Sequence, residues 1–357
     1  MRIFASKNFD LGVELMRLRK KIPFLTVCPK RIFLIPFFCI CFSLQTVQAE
    51  EPQMLVPVGK TVGVTMDTKG LLVLGTGSVT GEDNCIYTPC KGILQAGDLL
   101  LEADGQILEN KEMFMEAVEK SQGDPVFLRL ERSGREKNLS VTPVFSAADG
   151  SYKIGAWIRD SIQGIGTVTY FDPDSQTFGA LGHGVYDVDT DELMEIREGA
   201  LTQATLTEIV KGKKGKAGEL TGKVNLQEKL AHIQKNTKVG IFGASDGSVF
   251  AGEAIPVAET AEVKKGKATI LSDLEGGKVK AYEIEIEDIR KNGGKEHKDL
   301  QIRITDERLL KLTGGIVQGM SGSPILQNGR FVGAVTYVML NQPERGYGIF
   351  LKHMTGH

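Results

Sequence analysis

The chain has 357 residues, 41% of them apolar and 25% charged, a balance that excludes general disorder and leaves room for two ordinary domains plus an accessory segment. A formal net charge of -2 gives no footing for nucleic-acid binding, and no nucleic-acid partner is expected. With no CxxC pair, HExxH or Walker loop, no metal and no other cofactor is expected either.

The N-terminus carries an address. Arg17, Arg19, Lys20, Lys21, Lys30 and Arg31 precede the apolar run 32–44, after which Val47-Gln48-Ala49 has the form of a small-residue cleavage site. A helix over that run spans about 20 Å, short of the ~30 Å hydrocarbon core, and Pro36 interrupts it. Residues 1–49 therefore read as an export signal, with a retained membrane anchor as the alternative. Residues 50–61 read as a linker, and everything after Ala49 is placed outside the cytoplasm, secreted or tethered. Cys28, Cys39 and Cys41 lie in the leader, so only Cys85 and Cys90 reach the exported part. In an oxidising compartment these two are candidates for a small disulfide loop, unpaired thiols being the other reading.

Residues 62–145 read as strands around one helix. Leu71 to Leu74 form an apolar strand, 75–90 are rich in turn residues, and Gly97-Asp98 leads into Leu99-Leu100-Leu101-Glu102 and the turn Asp104-Gly105. Met113, Ala117 and Val118 recur at helical spacing over 111–121, and strands follow at 126–131 and 139–143. The block G-I-L-Q-A-G-D-L-L-L-E-A-D-G-Q resembles a PDZ domain. That resemblance implies that Gly70, Leu71, Leu72 and Val73 take the terminal carboxylate of a peptide, which adds as an extra strand.

A small polar stretch, 146–151, reads as a linker to a second body at 152–357. Short β-type runs recur there at 153–158, 165–170, 178–181, 201–209, 237–242, 268–272 and 281–286, the pattern of an all-β barrel or sandwich. Helices are expected within 217–233 and around 306–312. The lysine-rich stretches 211–216 and 264–267 read as solvated hairpin tips.

Chemistry is concentrated in the last fifty residues. Gly319-Met320-Ser321-Gly322-Ser323-Pro324 is a tight turn before two strand-like runs joined by Asn328-Gly329. Such a turn projects a serine hydroxyl while backbone N–H groups converge, and the N–H groups of Gly319 and Ser321 are the candidate oxyanion donors. A nucleophilic serine needs a base. His183, flanked by glycines in Gly179-Ala180-Leu181-Gly182-His183-Gly184, is the candidate, whereas His232, His297, His353 and His357 read as structural or solvent-facing. The acid that would fix the tautomer of His183 is open at this level, between Asp306 and the run Asp187, Asp189, Asp191. A histidine far upstream of a G-x-S-G-x-P turn in a β-rich chain is similar to double-barrel peptidases of the chymotrypsin type. Met320 departs from that type, which has Asp immediately before the nucleophile.

Together with Ile255-Pro256-Val257, Asp306 and the closing Gly346-Tyr347-Gly348-Ile349-Phe350, these motifs resemble the stage IV sporulation protein B (SpoIVB) peptidase family. The resemblance implies a mainly β protein with an export segment, a PDZ-like domain and a chymotrypsin-like double β-barrel serine endopeptidase domain. It implies His183 as base, Ser321 as nucleophile and Asp306 as orienting acid. It also implies a protein substrate at the membrane surface, the regulatory subunit of an intramembrane protease, cleaved between mother cell and forespore so that a late sigma factor is processed. Self-cleavage between the leader and Val62 belongs to the same expectation. The rival reading is a PDZ-type peptide-binding scaffold carrying an inactive peptidase-like domain.

Overall fold

The computed structural model describes residues 51–187, 191–250, 252–275, 277–290, 294 and 297–356. The expected export segment with Cys28, Cys39 and Cys41 lies outside them, as does Asp189. Among the described residues no helix is long and apolar enough to cross a membrane.

In chain order the principal elements begin with β1 (Met54–Pro57), β2 (Thr61–Thr76), β3 (Leu99–Ala103), α1 (Lys111–Lys120), β4 (Val126–Arg132) and β5 (Arg135–Val141). The outer half of β2 pairs with β3, which pairs with β4, which pairs with β5. Alternate residues of these strands, Leu71 and Val73, Leu128 and Leu130, point into one core and meet Phe114, Ala117 and Val118 from the apolar stripe of α1. Asn110 caps that helix by accepting from the Met113 N–H. Asp98, fully buried, is held by two 2.6 Å hydrogen bonds from the Arg132 guanidinium. This is the PDZ-like unit.

The chain continues through β6 (Ala156–Asp172), β7 (Thr177–Ala180), β8 (Ile196–Val210), β9 (Gly218–Thr237) and β10 (Gly240–Ala244). With the inner half of β2 these close a six-stranded antiparallel ring in the order β2, β6, β7, β10, β9, β8 and back to β2. Val62, Val64, Met66, Val168, Phe178 and Ile233 fill its interior. A second closed barrel follows, ordered β11 (Gly266–Glu275), β12 (Lys278–Ile289), β13 (Leu300–Ile304), β16 (Gln342–Phe350), β15 (Arg330–Met339) and β14 (Pro324–Gln327), with α2 (Glu307–Thr313) before β14 and α3 (Leu351–Thr355) at the end. Tyr282, Ile284, Ile302, Ile304 and Ile325 are among the side chains packed inside it. Where the barrels meet, Leu55, Tyr170, Val257, Phe331, Ile349 and Met354 form a shared apolar layer.

Three expectations are corrected. The domain boundaries at 62–145 and 152–357 fail because Thr61–Thr68 is already the first strand of the first barrel, paired with β6 and β8. The PDZ-like unit is thus an insertion between the first two strands of that barrel, and β2 and β6 are long enough to belong to both bodies. The stretch 146–151 is no free linker: Val144–Ser146 pairs with Ser151–Lys153, and Ser146 Oγ donates to Asp149 across the turn. The helix expected within 217–233 is strand β9. Buried Ala231 and Ile233 alternate there with exposed His232, and ring closure between β8 and β10 overrides the helix-like spacing of Leu226, Leu230 and Ile233.

Candidate active site

His183 lies just past β7, at the end of a loop strained by Leu181, whose φ of +71° is unusual for a bulky residue. Gly184 follows of necessity: a Cβ there would lie 2.5 Å from the Thr237 carbonyl oxygen. The ring Nδ1–H donates to the Gly184 carbonyl at 2.8 Å, which leaves Nε2 with its lone pair in that tautomer.

Ser321 comes from the second barrel, in the turn between Val317–Gln318 and β14. Gly319 and Gly322 adopt φ of +97° and +98°. The first barrel clamps this turn through one residue: Thr167 of β6 donates its N–H to the Ser321 carbonyl at 3.2 Å and its Oγ1–H to the Gly319 carbonyl at 2.7 Å. Within the turn the N–H groups of Met320, Gly322 and Ser323 are satisfied by Val317, Val335 and Met320 carbonyls. Among the described residues the Ser321 N–H donates to none, as an oxyanion donor requires. Gly319 and Ser321 both line the cavity described next.

The two side chains converge on consecutive residues of β15. Ser321 Oγ–H donates to the Thr336 carbonyl at 2.7 Å, and the His183 ring stacks on Tyr337 with centroids 5.2 Å apart. Both face one cavity of about 410 Å³ between the barrels, walled by Val64, Ile165, Ile316 and Val338. In this arrangement the serine proton sits on a backbone carbonyl, so attack begins with rotation of Oγ toward Nε2. Burial holds the His183 imidazole below its ordinary value of 6.5, opposed by the hydrogen bond to Gly184. The ring is therefore neutral, and able to accept a proton, down to lower pH than a surface histidine. The acid limb of the kcat/KM profile is expected to have its midpoint below 6.5, activity rising with pH through it. A midpoint at or above that value in a pH–rate series contradicts the assignment.

Asp306 does not reach this site and is corrected. It is the N-cap of α2, accepting from the N–H groups of Arg308 and Leu309, and its carboxylate takes two hydrogen bonds from the Arg308 guanidinium and one from the Glu283 N–H. Arg308 foremost, with these backbone donors, pulls its pKa down to about 2. Every oxygen is thereby engaged in holding α2 on the second barrel, while the orienting acceptor of His183 is a backbone carbonyl. Asp187 is buried against Arg159, and Asp191 is exposed. Asp306→Asn, which keeps the cap, is expected to lower kcat/KM by less than about tenfold, against ~10⁴-fold for a true triad acid. Because a depressed carboxylate stabilises above its unfolded pKa, the loss in melting temperature should be full at neutral pH and shrink as pH falls toward about 2.

The peptide-docking stretch and the disulfide are corrected too. Gly70, Leu71, Leu72 and Val73 lie within β2 with both edges used: Leu71 and Leu72 pair with Leu100 and Leu99, and on the other side Leu72 and Val73 pair with Arg159 and Ile158. The segment 152–160 runs along α1, from the Tyr152 N–H on Glu119 near one end to the Asp160 carboxylate on the Lys111 N–H at the other. Ile154 and Ile158 pack into the PDZ-like core from it. The place where a peptide would add as a strand is filled by the chain itself. Cys85 and Cys90 are both free thiols. Cys85 is exposed, whereas Cys90 is fully buried in the PDZ-like core, and burial pushes its pKa up to about 12.

Thr167, the carbonyls of Gly184 and Thr336, and Tyr337 were not legible as site residues. In sequence a strand threonine or tyrosine carries no signal, and a carbonyl has no letter.

A histidine from one six-stranded barrel and a serine turn from the next, meeting in the cleft between them, define a serine peptidase of the chymotrypsin-like double-barrel class. The family model described as SpoIVB peptidase S55 matches residues 150–355, and the chain belongs to that family. Among curated proteins, a putative zinc metalloprotease of Bartonella henselae is 35% identical over 82 residues, which cover 23% of this chain and 22% of that protein. The chain thus spans under a quarter of that relative. Among solved structures, the active form of the Rv3671c protease from M. tuberculosis is similar at 17% identity and a TM-score of 0.31, covering 55% of this chain and 72% of that one. The PDZ domain of an SdrC-like protein from Listeria monocytogenes is similar at 23% identity and a TM-score of 0.21, covering 25% of this chain and 87% of that one.

Proposed function

We propose that this serine peptidase works after export across the cytoplasmic membrane, in the space between mother cell and forespore, secreted or tethered by residues 1–49. There it cleaves the membrane-associated regulatory subunit of an intramembrane protease, so that a late sigma factor is processed. Family membership and the basic-then-apolar leader support this reading. The observation that carries its chemistry is the convergence of His183 and Ser321 on Tyr337 and Thr336 over one apolar cavity. Those apolar walls suit an apolar side chain beside the scissile bond.

Self-cleavage belongs to the same proposal, and it falls before Met54. Leu55 is fully buried, and Val56 and Pro57 pair with Phe171 and Tyr170, so the chain from Met54 onward is engaged in the sheet.

Co-expression of the full chain with the intramembrane protease, its regulatory subunit and the sigma precursor tests the reading. Loss of intact subunit, appearance of mature sigma factor and new N-termini before Met54 are expected with the parent and absent with Ser321→Ala. An intact subunit beside a parent enzyme that reacts with a fluorophosphonate probe would sink the proposed substrate while leaving the peptidase standing.

A further inference from the structure

Away from the catalytic pair, three side chains from two distant parts of the chain meet at the end of the second barrel. His297 and Asp299 precede β13, and His353 lies in α3; one ligand atom from each falls within 4.8 Å of the others. The two imidazole rings approach edge to face with centroids 5.5 Å apart. Between them sits a carboxylate that is wholly buried. Asp299 Oδ2 accepts from the Phe350 N–H at 2.9 Å and from His353 Nδ1 at 2.7 Å, while Asp299 Oδ1 is buried without any hydrogen-bond partner.

A buried carboxylate oxygen with no donor is costly unless a positive charge reaches it. The two imidazoles stand beside it, and His353 Nδ1, 2.7 Å from Asp299 Oδ2, becomes a nitrogen ligand when the ion displaces the proton shared between them. Two imidazole nitrogens and one carboxylate oxygen suit a borderline transition ion such as Zn²⁺ and not Ca²⁺ or Mg²⁺, which call for oxygen sets.

We propose that His297, Asp299 and His353 form a binding site for a divalent transition-metal ion of the zinc type, pinning the chain before β13 to α3. The site adjoins the catalytic wall. Lys298, next to His297, places its ammonium over the ring of Tyr337, at 5.4 Å, and that ring stacks on His183. The expectation that the chain carries no metal is thereby replaced by a structural one with a defined ligand set.

The test uses the full chain as Ser321→Ala, which prevents self-digestion, after chelation and exchange into metal-free buffer. Titration with Zn²⁺ should give one equivalent bound with a rise in melting temperature, and Co²⁺ should give the ligand-field absorption of a nitrogen-and-oxygen site. His297→Gln and His353→Gln, at partly exposed positions, should each weaken binding by about tenfold or more. The melting temperature of His297→Gln in chelator should match the parent's, which separates lost ligation from misfolding. No stoichiometric binding, or binding undiminished in both variants, overturns the proposal. Neither result bears on peptidase activity, which is read independently by fluorophosphonate labelling of the Ser321 protein.

Discussion

Ser321→Ala should abolish peptide hydrolysis, with kcat falling on the order of 10⁶-fold, while the folded protein keeps its melting temperature. The two halves of that expectation have separate causes. The hydroxyl is the proposed nucleophile, yet structurally its hydrogen bond is one donated to the Thr336 carbonyl, a net contribution of about 1 kcal/mol. His183→Ala should cost nearly as much, since the serine is a weak nucleophile without a base, and the double variant should be no slower than either single one. Steady-state kinetics on a peptide substrate, with circular-dichroism melting alongside, read both quantities. Independent, additive losses from the two positions would show that they do not act as one unit.

Gly322→Ala should be the most damaging change of a single methyl group. The turn puts Gly322 at φ +98°, and a Cβ would lie 2.1 Å from the Thr167 carbonyl oxygen and 2.6 Å from the Leu181 nitrogen. Neither neighbour is the tip of a flexible side chain; both are backbone of the first barrel. The strain of an L-residue in that conformation alone costs on the order of 1–3 kcal/mol, and the clash forces the Ser321 turn away from Thr167, whose two hydrogen bonds hold it. Activity should drop by more than about a hundredfold, since a misplacement of about 1 Å suffices for that, and the melting temperature should fall as well. Gly329→Ala is the control: its φ is +73°, but nothing lies within 4 Å of the added carbon, so it should cost strain and spare activity. A Gly322→Ala protein with parental kcat/KM would mean that the barrels are not locked together at this turn.

Much of this molecule is readable from local rules because local physics fixes it. The helix expected over 111–121 is α1, Lys111–Lys120, because its apolar stripe and Asn110 cap act within a few residues. Asn328-Gly329 forms the β14–β15 hairpin turn with φ of +52° and +73°, as those two side chains allow. His183 and Ser321 could be named for the same reason: glycines around each reserve space that only a close backbone approach needs. Asp306 shows where local reasoning stops. Its spacing from Ser321 suggests an acid for the base, but a residue before a helix also caps it, and three dimensions gave the carboxylate to Arg308 and α2.

The order of residues by itself determined the β-rich class and the barrel-type alternation, and it was enough to propose an export segment and His183 and Ser321 as base and nucleophile, each a matter of side-chain type at short range. Tertiary structure alone decided how the bodies are joined, because strand pairing between residues more than a hundred positions apart depends on which ring closes. It made β2 and β6 common to the PDZ-like unit and the first barrel, covered the strand edge that a peptide would use, and turned 218–237 into a strand. Only it brought the Gly184 carbonyl to the His183 ring and the Thr336 carbonyl to Ser321, since those contacts are made by backbone atoms that every residue carries.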